Sequence, residues 1–319
     1  MKSKARGHKD CSKMSTINFE ELFCAANFTE GIQSQLIVFS AVNTFLSITA
    51  FLGNSLILVA LLKENSLHPP SKLLYRNLAI TDVCVGIIAQ PLLVIWCMFV
   101  VNERWNSCVY ALYGALTTGF TLCAVSLLTM TAVSVDRLLA LILRLRYRNV
   151  VTSRRTCLTI IVFWVLSLFG ALLMYFQNNV ITYWYSYIII ALCLTVSSAS
   201  HVKIFLTLRQ HQIQVQERVH LERASQAIPL NIARYKKAVS SALWVQTALV
   251  ICYLPLGVVD ALRTQSAQSA SDFLVARRYT LTLLYFNSTL NPILYCWKIK
   301  EVRQAVKETV RNCWRSSTS

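Results

Sequence analysis

Asp82 stands out among the residues of this chain that could do chemistry, because it lies within an apolar stretch that begins Asn77-Leu78-Ala79-Ile80-Thr81. An ionisable side chain at membrane depth is costly and normally faces the interior of a helix bundle. Further polar side chains occur at mid-depth in other apolar runs, namely Asn54, Ser126, Asn287 and Asn291. If they converge, Asp82 and Ser126 are candidate ligands for a small cation such as Na⁺. The alternative is a protonated Asp82 that only joins neighbouring helices.

Two more features carry polar groups at the ends of apolar runs. Asp136-Arg137 directly follows one such run and is either a functional ion pair or an ordinary charge pair at the lipid interface. The segment 291–295, Asn-Pro-Ile-Leu-Tyr, closes the last run. A proline inside a span frees a backbone carbonyl that lipid cannot satisfy, so neighbouring polar groups must do so.

Clusters typical of enzymes and metal sites are missing from the sequence. The five histidines are far apart, and the eleven cysteines form no CxxC pair. We therefore expect no enzyme activity, no organic cofactor and no transition-metal site.

The elements that position these residues are long apolar segments. The chain of 319 residues is 55% hydrophobic and 14% charged, which is typical of membrane proteins. Stretches without any Lys, Arg, Asp or Glu cover 36–62, 83–102, 105–135, 156–202, 238–259 and 279–297. One span needs roughly 20 residues, so the long run 156–202 must hold two helices joined near Asn178-Asn179. The sequence predicts an all-α membrane protein with seven transmembrane helices, at about 36–63, 72–98, 105–141, 155–176, 180–210, 233–263 and 276–297.

Orientation follows from the basic residues. With the N-terminus outside, the inner loops and tail collect 22 of the 31 Lys and Arg residues, as the positive-inside rule requires. The sequon Asn27-Phe28-Thr29 agrees and makes Asn27 a candidate glycosylation site. The basic cluster in residues 2–13 opposes this orientation, but it lies far from the first span. The net charge of +17 favours anionic membrane lipid as a partner rather than nucleic acid, because the basic residues flank spans.

The segment after the last span is basic and amphipathic. Ile299, Val302, Val306 and Val310 recur at helical spacing with Lys and Arg between them. This pattern predicts a helix on the membrane surface, and Cys313 at its end is a candidate palmitoylation site.

Landmarks on six of the seven predicted helices give the chain a specific resemblance. The residues in question are Gly53-Asn54, Leu78 to Asp82 with Pro91 above, Asp136-Arg137, Trp164, Cys252-Tyr253-Leu254-Pro255 and 291–295, together with Trp105 in the first outer loop. In this order they resemble the rhodopsin-like (class A) G-protein-coupled receptors, nearest the melanocortin, adenosine, cannabinoid and lysophospholipid branch. The resemblance covers all seven spans. It implies an extracellular N-terminus at 1–35, a seven-transmembrane receptor domain at 36–297, and a helix with a short cytoplasmic tail at 298–319.

The same resemblance implies a switch at the plasma membrane. Asp136 would hold Arg137 at rest, and activation would release Arg137 into a cavity that receives a heterotrimeric G protein. Pro255 would be the kink about which the sixth helix moves outward, with Tyr253 in place of the usual tryptophan. On the last helix, Asn291, Pro292 and Tyr295 would support the open state. The implied G-protein contacts are Arg137, Arg146, Tyr147, Lys236 and Lys237.

An extracellular small ligand is the implied stimulus. The candidate pocket residues are Gln90, Trp96, Phe120, Cys123, Tyr185, Tyr253, Asp260 and Tyr285, with Asp260 the best placed to orient a ligand. Gly119 replaces the aspartate of amine receptors, and Tyr285 replaces the retinal-binding lysine, so a monoamine and a photopigment are both disfavoured. Leu112 and Leu116 replace the acids of melanocortin receptors, which disfavours a melanocortin ligand.

The resemblance also raises the question of a disulfide. Leu112 stands where the family carries its cysteine, and Cys108 lies one turn earlier. Cys24, Cys11 and Cys97 remain open as partners. The competing functional class is a seven-span transporter or channel, which would predict more charged or glycine-broken helices than this sequence contains.

Overall fold

Every regular element that the computed structural model describes is helical. It describes residues 23–24, 33–63, 67–175, 179–222, 246–262, 270–298, 303–304, 306–309 and 311. The long helices are α1 (Gln33–Lys63), α2 (Pro69–Val101), α3 (Trp105–Leu143), α4 (Ser153–Tyr175), α5 (Asn179–Glu222), α6 (Gln246–Leu262) and α7 (Ala270–Lys298). The predicted all-α bundle of seven helices is confirmed, including the division of the longest apolar run into α4 and α5.

Five of these helices, α1 to α5, contain segments long and apolar enough to cross a membrane. The described part of α6 is apolar but shorter, and α7 has 29 residues, enough for one span. On the outward faces large apolar side chains stay exposed, among them Phe45 at 65% and Trp184 at 64%. Contact with lipid tails explains this exposure, because lipid requires no polar cover.

The inner faces form one continuous core around α3. This helix contacts α2, α4 and α5, while α1 packs against α2 and α7. Leu36, Ile57, Leu78, Leu112 and Leu127 are almost fully buried between them. The central position of α3 places its polar residues where side chains of several helices can meet.

A π-helical turn interrupts α2 at Val85–Ala89, just before Pro91. Proline lacks a donor for the helical ladder, and the wider turn lets the Gln90 N–H bond the Val85 carbonyl instead. Within this turn Gly86 meets α1 closely: the Ser47 hydroxyl donates to its carbonyl at 2.5 Å. A Cβ at position 86 would lie 2.8 Å from the Ser47 carbonyl oxygen, so only glycine fits this crossing.

Two short elements follow α3 on the side of the bundle that holds Asp136. They are a 3-10 turn, Arg144–Arg146, and a one-turn helix, Tyr147–Val150. Arg144 has a φ of 46°, which ends α3 sharply and turns Tyr147 back towards the bundle. After α7, residues 303–304, 306–309 and 311 are helical.

Candidate functional site

A cavity of about 130 Å³ lies between α2, α3, α5, α6 and α7, near the end of the bundle at which α7 begins. Its wall is mostly apolar and includes Leu93, Leu112, Leu256, Leu281 and Leu284. Polar groups come from fewer positions, among them Thr182, Tyr183, Ser186, Tyr187, Tyr253, Asp260, Arg277 and Tyr285. An apolar hollow with few polar groups is typical of sites for small ligands.

Six of the eight pocket residues suggested by the resemblance line this cavity: Trp96, Phe120, Cys123, Tyr253, Asp260 and Tyr285. Gln90 and Tyr185 lie elsewhere, which corrects the expectation for these two. Gln90 is fully buried beside the π-helical turn. Tyr185 points to α4, where its hydroxyl donates to the Leu166 carbonyl at 2.7 Å and its ring meets Phe169 edge-on.

Asp260 is paired rather than exposed to outside water. Its Oδ1 lies 3.1 Å from Nε of Arg277 on α7, and both residues are at most 9% exposed. Sequence analysis missed Arg277 because it precedes the uncharged run 279–297 and looked like a flanking charge. Helical spacing was the available signal, since Leu281, Leu284 and Tyr285 lie four, seven and eight residues later on the same face.

Tyr285 and Tyr253 both line the cavity. The Tyr253 hydroxyl donates to the Cys123 carbonyl at 3.1 Å and so joins α6 to α3. The Tyr285 hydroxyl occupies the space beside Gly119, where a Cβ would clash with it. The missing side chain at position 119 therefore makes room for this tyrosine.

The N-terminal residues Phe23 and Cys24 sit against this end of the bundle. A disulfide joins Cys24 to Cys108, at the start of α3. Of the partners left open by the sequence, Cys97 is a free thiol, and Cys11 lies outside the described residues. Phe23 is 2% exposed, and its ring centroid lies 6.0 Å from that of Trp96.

Asp82 is fully buried at the centre of the bundle. Nδ2 of Asn291 donates to its Oδ2 at 2.7 Å, and the Ser126 hydroxyl lies 3.5 Å from its Oδ1. The amides of two other predicted members have different partners: Asn54 donates to the Ser288 carbonyl at 2.9 Å, and Asn287 points to the Met130 sulfur at 3.5 Å.

Three side-chain amides of this predicted polar network each keep an oxygen that accepts no hydrogen bond from the described residues. Oδ1 of Asn54, Asn287 and Asn291 is buried in each case, with no hydrogen-bond partner among the described residues. A carboxylate, a hydroxyl and amide oxygens are ligands that hard cations accept, so the donor set fits Na⁺. No group of three or more His, Cys, Asp or Glu that could hold a metal occurs in the described part of the chain.

Asp136 and Arg137 point to different partners. Oδ1 of Asp136 accepts a hydrogen bond from the Tyr147 hydroxyl at 2.6 Å, and its Oδ2 accepts one from Ser71 at 2.8 Å. Arg137 instead donates to the Tyr75 hydroxyl from Nη2 at 2.7 Å and from Nε at 3.2 Å. The expectation that Asp136 holds Arg137 is thereby corrected, because successive residues of a helix face different directions.

Tyr147, which the resemblance makes a G-protein contact, is buried in this structure, and its role as a contact stays a prediction. Its side chain is 8% exposed and is occupied by Asp136. Arg146 remains exposed beside it.

A polar cluster that sequence analysis missed joins α5 to α6. Oε1 of Gln246 accepts a hydrogen bond from Ser197 at 2.8 Å and lies 3.2 Å from Nδ1 of His201. Its Nε2 donates to Ser198 at 2.7 Å. Ser197 also lies 3.3 Å from the Ser134 hydroxyl of α3. Single serines in a span carry little sequence signal, so only their meeting reveals the cluster.

The family model described as 7 transmembrane receptor (rhodopsin family) matches residues 53–183 and 174–295. The chain belongs to the rhodopsin family of seven-transmembrane receptors. As a rhodopsin-family protein it is a G-protein-coupled receptor and not an enzyme, and the transporter or channel alternative is not favoured. Its apolar helices and its relatives make it a multi-pass protein of the plasma membrane.

Relatives of this rhodopsin-family receptor match it along most of their length. It is 24% identical to adenosine receptor A3 of Ovis aries over 87% of this chain and 90% of the relative. Identity to adenosine receptor A2b of Homo sapiens is 26%, over 85% and 89%. Melanocortin receptor 4 of Danio rerio is 22% identical over 89% and 87%.

The switch residues of this rhodopsin-family receptor are only partly described. Pro255 is half-buried within α6. Pro292 packs its ring against Gly53 of α1, where a Cβ would lie 3.0 Å from Cγ of the proline. The remaining predicted positions, the side chain of Tyr295 and residues Asn27, Lys236, Lys237 and Cys313, fall outside the described residues.

Proposed function

We propose that this receptor binds a small extracellular ligand in the cavity and activates heterotrimeric G proteins by an outward movement of α6. The observation that carries the proposal is the position of Tyr253. This residue lines the cavity, bonds α3 through the Cys123 carbonyl, and lies two positions before Pro255. A ligand that displaces the Tyr253 ring breaks the hydrogen bond between α6 and α3. This bond lies next to Pro255, about which α6 would bend.

Population shift supplies the mechanism. A ligand that binds better when Tyr253 has left Cys123 favours the open form, and a G protein that binds only the open form adds to the shift. On the other side of the membrane the proposed contact face comprises Arg137, Arg146, Lys236 and Lys237. Arg137 would have to leave Tyr75 to reach a G protein, so this hydrogen bond takes the restraining role that the family resemblance assigned to Asp136.

The proposed orientation places the N-terminus outside the cell. The Cys24–Cys108 disulfide supports it, since disulfides persist in oxidising compartments. In this orientation Asn27 faces glycosylation enzymes, and Cys313 and the basic tail face anionic inner-leaflet lipid. Na⁺ would bind between Asp82 and Ser126, where it would neutralise the buried carboxylate.

Agonist-free GTP exchange on a panel of purified G proteins tests the function. We expect the wild-type receptor to accelerate exchange on at least one G protein and the Arg137→Ala variant to lose that acceleration. A ligand screen read out by cAMP and calcium then identifies the agonist and the coupling class. The proposal is wrong if neither exchange nor any ligand response differs between the wild type and Arg137→Ala.

A further inference from the structure

A groove separate from the cavity near the start of α7 lies between α3, α4 and α5, and we call it the flank groove. Its volume is about 340 Å³, larger than the 130 Å³ of that cavity. Asp136 and Val151 line it, so it lies in the half of the bundle that holds the one-turn helix after α3. The rest of its wall is mostly apolar and includes Leu128, Val135, Phe163, Leu192 and Val196.

The flank groove opens towards lipid. Leu192 in its wall is 59% exposed, and Thr159 is exposed as well. On α4 the neighbours of Thr159 in sequence include the exposed Leu158, Ile161 and Val162. Exposed apolar side chains on a membrane-spanning helix face acyl chains. Membrane lipid is therefore the molecule that reaches the groove from its open side.

The polar groups in the wall already have partners. Thr131, Thr156 and Thr159 each donate to the backbone carbonyl four residues earlier, at 2.9, 3.2 and 2.9 Å. The carboxylate of Asp136 accepts two short hydrogen bonds, at 2.6 and 2.8 Å. An occupant of the groove thus meets apolar surface and satisfied polar groups, which suits an acyl chain.

An exposed arginine is fixed at the end of the groove where α4 begins. Arg155 lies one turn before Thr159, and its Nη1 donates to the Val150 carbonyl at 2.8 Å. The next residue after Val150 is Val151, which lines the groove. The hydrogen bond therefore holds the guanidinium beside the groove while leaving the side chain exposed.

A second exposed cation lies on the α5 side. Lys203 follows Val196 by seven residues, and this spacing places both residues on one face of the helix. Residues 137–216 contain no Asp or Glu. The same end of the groove is thus bordered by one basic residue on α4 and one on α5, with no acid on α4 or on α5 up to residue 216.

We infer that the flank groove binds one anionic phospholipid, with an acyl chain in the groove and the phosphate head between Arg155 and Lys203. Burial of apolar surface would hold the chain, and charge-assisted hydrogen bonds would hold the head. A zwitterionic phospholipid with the same chains lacks the net negative charge, and a sterol lacks the head. The inference depends neither on the ligand of this receptor nor on its coupling to G proteins.

Thermal unfolding of the full-length receptor in nanodiscs tests the inference. Dioleoyl phosphatidylcholine is replaced stepwise by dioleoyl phosphatidylserine, which has the same chains and a net negative charge. We expect the Tm to rise and then to saturate with the mole fraction of phosphatidylserine, because this lipid binds the folded state.

Two substitutions remove the charges at the end of the groove one at a time. Arg155→Gln and Lys203→Gln should each raise the half-saturating mole fraction about fivefold, as expected for the loss of one basic residue at an anionic surface. Arg104→Gln makes the same change at an exposed arginine just before α3, at the other end of the bundle. This control should keep the wild-type value.

A third substitution separates a bound chain from general attraction to a charged bilayer. Ala132 lines the groove, so Ala132→Phe fills it while keeping every charge, and the saturable rise should disappear. Ala191→Phe makes the same change at an exposed position of α5 outside the groove wall and should respond like wild type.

A photo-reactive lipid locates the site without any substitution and serves if Ala132→Phe does not fold. Phosphatidylserine with a diazirine on one acyl chain should label groove residues of α3, α4 and α5 in the wild-type receptor. Unlabelled phosphatidylserine should compete for this labelling better than phosphatidylcholine does.

The inference is overturned if phosphatidylserine does not raise the Tm or if the label falls outside the groove. A wild-type response in Ala132→Phe would mean that lipid heads act on the basic surface alone. Equal shifts in Arg155→Gln and Arg104→Gln would point to net charge instead of a site. A rise in Tm that cholesterol produces without anionic lipid, and that Ala132→Phe abolishes, would assign the groove to a sterol.

Discussion

The Tyr147 hydroxyl lies 2.6 Å from Oδ1 of Asp136, and this hydrogen bond turns the acid away from Arg137, its neighbour in sequence. The one-turn helix after α3 is thereby fixed to the bundle through a buried tyrosine. The ion pair expected from adjacent residues is replaced by two separate hydrogen-bonding groups, Asp136 with Tyr147 and Ser71, and Arg137 with Tyr75.

Removing this hydroxyl should cost stability. In Tyr147→Phe the carboxylate of Asp136 loses a short donor in a buried position, which is worth about 1.5–3 kcal/mol, so the Tm of the purified receptor should fall. Arg146→Ala is the matched control next to it in sequence, because Arg146 is exposed. It should leave the Tm unchanged and weaken G-protein activation at subsaturating G protein. Equal Tm values for wild type and Tyr147→Phe would contradict the role given to this bond.

Sodium dependence tests the centre of the bundle. Because the donor set around Asp82 fits Na⁺, replacing choline chloride by NaCl at constant ionic strength should raise the Tm through binding to the folded state. Asp82→Asn should abolish the rise, and Ser126→Ala should reduce it. Asp260→Asn removes a carboxylate elsewhere in the bundle and should keep the sodium response. A response retained in Asp82→Asn would show that Na⁺ binds elsewhere.

The Asp260–Arg277 pair should behave as a buried ion pair. Removing one partner leaves the other charged and uncompensated, at a cost of about 3–5 kcal/mol, so Asp260→Asn and Arg277→Gln should each lower the Tm strongly. The double variant Asp260→Leu/Arg277→Met should recover a large part of the loss, because it buries no charge. A double variant whose loss equals the sum of both single losses would show that the two side chains act independently.

The Tyr285 hydroxyl fills the space that a side chain at position 119 would need. A pair of substitutions can test this relationship. In Gly119→Ala the new Cβ would clash with the Tyr285 hydroxyl, and overpacking of this kind costs about 1–3 kcal/mol. Adding Tyr285→Phe removes that oxygen and leaves Cζ at 3.3 Å as the nearest ring atom. The double variant should therefore have a higher Tm than Gly119→Ala alone. No rescue would mean that the clash is relieved by a different route.

Gln246 is expected to restrain α6. Its amide group bonds Ser197 and Ser198 of α5, and each bond contributes about 0.5–1.5 kcal/mol. Gln246→Leu keeps a similar volume without these bonds, so agonist-free GTP exchange should rise above wild type. Thr195→Val on α5 is a control, because its hydroxyl bonds carbonyls of its own helix, those of Ala191 and Leu192. Lower exchange in Gln246→Leu would show that the cluster supports the active form instead.

The helix count, the buried position of Asp82 and the resemblance to the rhodopsin family could all be predicted from the order of residues. Each of these features depends only on the succession of residues along the chain. An uncharged run of sufficient length must be a helix in lipid, and six motifs in a fixed order identify a family. The boundary of α4 and α5 followed in the same way, because a 47-residue uncharged run cannot be one span.

Tertiary structure alone decided the partners of these residues. Which groups face Asp136, Asp260 and Arg277 depends on helix rotation and on the path of the loops, and neither is encoded in spacing along a single helix. The same holds for Cys108, whose three candidate partners are equivalent in sequence; the folded chain brings Cys24 to it, next to Phe23, whose ring contacts Trp96. Charges just outside an apolar run look like flanking residues, and only the bundle shows that Arg277 turns inward.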